Sequence, residues 1–128
     1  MTMVIEILLY KLKPQTGDAF HALMRSVSVP LHRRHGLDVV WHGQSLHDRD
    51  GYGLVRAFAD LPTIESTLAA FYASSAWRSG PREDIIARIE TSTRLVMPMR
   101  AAMTFLLAFS VTVVSPARLE RSPASSSR

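Results

Sequence analysis

The 128-residue chain has the length of one domain, and 47% apolar with 20% charged residues is a folded rather than a disordered composition. Its net charge is +4, but the basic residues are scattered and the densest run is Arg33-Arg34. That argues against a nucleic-acid binder, which gathers its charge on one face. With no cysteine, disulfides, thiolate metal ligands and a Cys nucleophile are all excluded.

In chain order, residues 3–11 read as a first strand, ended by Pro14 and Gly17. The stretch is apolar, but it has no basic leader and carries Glu6 inside the run. No signal peptide is expected, and a cytoplasmic location follows by default. Residues 18–35 predict a helix, because Phe20, Leu23, Met24, Val27 and Leu31 recur at steps of three and four. Pro30 should kink it or restart it at Ser28, and Gly36 should close it. His32 and His35 suit the negative helix end. Residues 37–46 and 52–59 read as a hairpin turning through HDRDG.

Asp60 is placed to cap a second helix with buried Leu61, Ile64, Leu68 and Phe71. Ser74 or Ser75 should end it and cap a short turn holding Trp77. Pro81 starts a last helix with Ile85, Ile86 and Ile89 buried, and residues 93–97 form a fourth strand closed by Pro98. The order βαββαβ is a ferredoxin-like α+β fold: an antiparallel sheet with helices on one face and the first and third strands central.

Both faces of the first strand are apolar. Met3, Ile5, Ile7 and Leu9 suit the helix-covered face, yet Val4, Leu8 and Tyr10 on the other face are scarcely more polar. A second copy packed sheet to sheet, a homodimer, would cover that face. The domain spans residues 1–98. Residues 99–128 form an extension, in which the uncharged run 101–114 is short of the ~20 residues a membrane span needs. A docked helix or strand is expected there, followed by the disordered tail SPARLERSPASSSR.

Four segments together resemble the NIPSNAP family. VIEILLYKLKP is similar to its opening strand, a Glu, an Arg two on and a Tyr two further, followed by a Leu-Lys-Pro-like turn. Glu6 and Tyr10 match, and Leu8 stands where the Arg is usual. VPLHRRHGLDVVWHG resembles its helix end and second strand. LVRAFADL, with Arg56 and Phe58, resembles its third strand, and AFYASSAWR its Phe-Tyr-x-Ser-x-x-Trp signature. The resemblance covers residues 3–98 and implies a dimeric α+β barrel. It implies little chemistry, since bacterial members mostly lack an assigned reaction and animal members are linked to mitochondria and vesicle traffic. Cofactor-free monooxygenases and haem-degrading enzymes belong to the wider superfamily.

The site candidates follow from residue type. Trp41, Tyr72 and Trp77 are expected to line a cleft for a small apolar or planar molecule, with His42 and Arg56 as polar contacts. Glu6 and Tyr10 share a strand face, and Glu6 can pair with Arg56 inside the barrel. His42 or Tyr72 would orient a substrate or take a proton. No metal or cofactor is expected: H-E-x-x-H, H-x-x-E-H, G-x-G-x-x-G, Walker A and G-x-S-x-G motifs are absent, and Gly51-Tyr52-Gly53 reads as the hairpin turn. The leading reading is a small-molecule binder. The alternatives are a cofactor-free or haem-linked monooxygenase using the same cleft, and an interaction scaffold using the C-terminal tail.

Overall fold

A computed structural model describes residues 2–100. Of the extension expected over 99–128, residues 101–128 lie outside the described residues. The elements are β1 (Val4–Leu12), α1 (Gly17–Leu23), a π-helical turn (Met24–Ser28), α2 (Val29–Arg34), β2 (Asp38–Gln44), β3 (Gly51–Phe58), α3 (Leu61–Ala73), α4 (Ser75–Arg78), α5 (Arg82–Arg88) and β4 (Ile89–Pro98). The sheet is fully antiparallel in the order β2-β3-β1-β4. The helices cover one face, which gives the ferredoxin-like α+β arrangement read from the sequence.

Local chemistry sets the helix boundaries. Asp60 accepts the Thr63 N–H at 3.0 Å and caps α3. Ser74 ends α3, donating its hydroxyl to the Phe71 carbonyl and accepting the Trp77 N–H to start α4. Gly36, at φ +81°, lets the chain leave α2 in the left-handed region that a Cβ disfavours. α2 starts at Val29, directly after the restart expected at Ser28, with Pro30 in its first turn. A π turn precedes it, with the Val29 N–H reaching back five residues to the Met24 carbonyl.

That turn changes which side chains face the sheet. Val27, expected inside, is 40% exposed, while Ser28 and His32 are buried beside Phe20, Met24 and Leu31. Leu61 and Ile86, also expected inside, are exposed at the first turn of α3 and on α5. The core between sheet and helices is built from Val4, Leu8, Leu12, Phe20, Leu54, Phe58, Ile64, Phe71 and their neighbours.

The two faces of β1 are the reverse of the sequence expectation. Val4, Glu6, Leu8 and Leu12 are buried with the helix-side core, whereas Leu9 is 56% exposed on the other face. Glu6, expected to pair with Arg56 on the barrel side of the sheet, is buried on the helix side instead. Its charge is matched by the buried Arg56 and the half-exposed Arg94, which offsets the cost of burying it. The outer face carries Ile7 paired between Val55 and Leu95, together with Leu9 and Trp41. A bulge at Val40 separates Val39, in the core, from Trp41, which lies outside with its indole over the bare backbone of Gly43 and Gly53.

Candidate functional site

The polar cluster grows from strand register. Glu6 lies directly opposite Arg56 on the neighbouring central strand, and both side chains are buried under the helices. Arg56 Nε donates to Glu6 Oε1 at 2.7 Å. Arg94 Nε, on β4, donates to Glu6 Oε2 at 2.6 Å. Each carboxylate oxygen therefore has its own guanidinium. Arg94 is the cross-strand partner of Leu8, the position where the NIPSNAP-like pattern carries an Arg. The cation missing from β1 is thus supplied by the adjacent strand. No spacing motif flags Arg94; only the sheet register identifies it.

Arg56 Nη1 continues the network from the helix side. It donates to Tyr72 Oη at 2.8 Å and lies 3.0 Å from His32 Nε2. An arginine can only donate, so His32 Nε2 is the acceptor and its proton sits on Nδ1. That nitrogen donates to the Ser28 carbonyl at 2.8 Å. Burial pushes the His32 pKa down to about 4, with the Ser28 carbonyl opposing and the Arg56 charge reinforcing the shift. His32 is thus a fixed neutral acceptor in the core, not the solvated helix-end residue expected from its place in the chain. Burial disfavours the Arg56 charge, but Tyr72 and Glu6 more than offset it and the guanidinium stays cationic.

Tyr10 lies four residues along β1 from Glu6, opposite Tyr52, its ring edge-on to Phe20 at 5.9 Å. Burial raises its phenol pKa, with Tyr72 adding to the effect.

Phe71, Tyr72 and Trp77 pack as one group, with ring centroids 5.2–5.4 Å apart. The break between α3 and α4 at Ser74 turns Trp77 back against Phe71 and buries it. Tyr72 is 37% exposed. Its hydroxyl takes the Arg56 hydrogen bond, and Tyr72 also lines an open cleft of about 650 Å³ with Ser75, Arg78, Ser79, Arg82 and Glu83. The lining is polar and cationic rather than the aromatic wall expected.

The structure brings together Glu6, Arg56, Tyr72 and Trp77; Tyr10 lies a further four residues along β1, opposite Tyr52. Trp41 and His42 are not brought in. These two are adjacent on a strand and so face opposite sides of the sheet. Trp41 is on the outer face. His42 is on the helix face, but its Nδ1 lies 2.9 Å from Tyr52 Oη, and Tyr52 is four residues from Arg56 on β3, roughly 13 Å along the strand. Tyr52 belongs to β3 and is buried; it is not a turn residue. Sequence reasoning missed His32, Arg94, Tyr52 and His21. No His/Cys/Asp/Glu group among the described residues could hold a metal ion, and no described helix is long and apolar enough to cross a membrane.

No family model and no curated protein matches the chain. Solved structures do. A NIPSNAP family protein of unknown function from Agrobacterium tumefaciens superposes with a TM-score of 0.68 at 21% identity, over 76% of this chain and 87% of that one. An uncharacterized NIPSNAP-like domain protein from Burkholderia xenovorans gives 0.68 at 14% identity, over 75% and 84%. An antibiotic biosynthesis monooxygenase gives 0.56 at 18% identity, over 73% and 95%. At these identities the likeness is one of fold: the chain has the ferredoxin-like α+β fold of the NIPSNAP proteins, shared with antibiotic biosynthesis monooxygenases.

Proposed function

We propose that the protein binds a small planar anion, an aromatic carboxylate or a molecule of that class, in the cleft beside Tyr72. One observation carries the reading: a single tyrosine links the buried Glu6–Arg56–His32 network to an open, arginine-lined cleft. The ring offers a flat apolar surface, and the hydroxyl is held by a guanidinium from behind. Arg82 is engaged by Glu83 at 2.6 Å, which leaves Arg78 as the cation without a carboxylate partner among the described residues. Serines 75 and 79 add hydroxyl donors.

The assembly proposed with it is a homodimer through the outer sheet face. Leu9, Trp41 and Leu95 are each more than half exposed there, an apolar surface of the kind that marks an interface.

The test uses Trp77, whose ring lies 5.2 Å from Tyr72, as reporter in a Trp41→Phe background. Benzoate is expected to change its fluorescence at concentrations about tenfold lower than benzamide, the neutral analogue of the same shape. Arg78→Ala should abolish that preference. Equal responses to the two compounds would overturn the reading.

A further inference from the structure

Outside this network, Tyr52 Oη lies 2.9 Å from Nδ1 of His21, on α1, and 2.9 Å from Nδ1 of His42, on β2. The Tyr52 side chain is buried, while both imidazoles are half-buried at the surface. We propose that His21, Tyr52 and His42 form a binding site for a phosphate group that still carries a proton, separate from the cleft at Tyr72.

The argument begins with counting protons. A phenol has one hydrogen to donate and can accept others. Tyr52 stays protonated, since burial raises its pKa and only Arg25 opposes this. It donates to one Nδ1, so the other Nδ1 must carry its own hydrogen and donate to Tyr52. The neutral imidazole that accepts from Tyr52 has its proton on Nε2. The one that donates to Tyr52 has a bare Nε2. With both rings neutral, the buried phenol holds them, their centroids 6.0 Å apart, in opposite tautomers. Their remaining nitrogens are one donor and one acceptor.

The surroundings are positive. Arg25 follows His21 by one helical turn, and burial lowers the His42 pKa, with the Arg33 and Arg25 charges adding to the effect. Asp18, three residues before His21 on α1, is engaged by Arg49 at 2.9 Å and by Gln44 at 2.9 Å. A positive field selects an anion, and the donor–acceptor pair selects one with both a bare oxygen and an O–H. Inorganic hydrogen phosphate has both near neutral pH, whereas a phosphate monoester, with its second pKa near 6, has largely lost that proton. Sulfate has the same size and shape but no proton, so it would set an oxygen against the bare Nε2 with nothing between them.

The experiment is titration of the full chain with inorganic phosphate and with sulfate at pH 7.5, read by calorimetry and by the imidazole ¹⁵N resonances. Phosphate should bind at least about tenfold more tightly than sulfate, the loss expected for one unpaired polar contact. Methyl phosphate, which has largely lost its second proton at this pH, should bind no more tightly than sulfate. Dimethyl phosphate, which has no such proton, should follow sulfate. His42→Ala and His21→Ala should each weaken phosphate binding about tenfold. Tyr52→Phe should bring phosphate and sulfate close to parity, because the tautomers are then uncoupled.

Because Tyr52 is buried and its variant could misfold, the unsubstituted protein carries an independent check: its ¹⁵N spectrum must show one ring protonated on Nδ1 and the other on Nε2. Two rings in the same tautomer, equal binding of phosphate and sulfate, or no phosphate-dependent shift of either ring would each overturn the proposal.

Discussion

His32 should make the fold sensitive to mild acid. Its Nε2 receives a hydrogen from Arg56, so protonation would set an imidazolium N–H against a guanidinium in the core. The folded-state pKa is about 4, against 6.5 for a free imidazole. At about 1.4 kcal/mol per pH unit, the difference is worth about 3 kcal/mol. The direction follows from proton counting. Between pH 6.5 and 4 the unfolded chain holds a proton on this residue that the folded chain does not. Stability is therefore complete above pH 6.5 and falls as the pH is lowered toward 4. The assay is urea unfolding at several pH values from 7.5 to 4 for the native sequence and for His32→Gln. The glutamine is uncharged throughout, and carboxylates common to both proteins cancel in the difference. The stability advantage of the native sequence should shrink by about 3 kcal/mol across the window. Parallel pH profiles for the two proteins would refute the buried neutral imidazole.

Three further outcomes follow from the same packing. Glu6→Gln leaves Arg56 without its counter-charge in the core and should cost about 3–5 kcal/mol by denaturant titration, whereas Arg94→Ala, at a half-exposed side chain, should cost about 1 kcal/mol or less. Ser28 Oγ is buried without a hydrogen-bond partner among the described residues, so Ser28→Ala should be neutral or stabilising by about 1 kcal/mol in thermal unfolding. A Cβ at residue 53 would lie 2.7 Å from the Trp41 ring, so Gly53→Ala should lift the indole off the outer sheet face. Its emission should move to longer wavelength and, if that face is the dimer surface, sedimentation should show weaker self-association.

Much of the fold was legible because local signals and global order agree. Asp60, Ser74, Pro81 and Gly36 mark element ends by backbone chemistry, and the βαββαβ order needs no knowledge of packing. The faces of β1 were not legible, because its odd and even positions are both apolar and periodicity has nothing to distinguish. Glu6–Arg56 could be anticipated, since two opposite charges on strands expected to be central invite pairing. His32 and Arg94 could not. One is brought inward by a helical irregularity with no compositional mark, and the other by cross-strand register 88 residues away from Glu6. Trp41 and His42 were assigned to the same cleft although adjacent strand residues face opposite ways.

The π turn ties the polar cluster to a count of residues. Phe20 and His32 are twelve positions apart, which in a regular helix would leave them about 120° apart around the axis. The turn holds one residue more than an α turn requires and takes back about 100° of that rotation, so both side chains face the sheet. A protein of this fold with an uninterrupted helix would need its inward polar residue one place earlier, with every strand unchanged. Equivalent members of such a cluster would then fall at unequal positions in aligned sequences and coincide only in space.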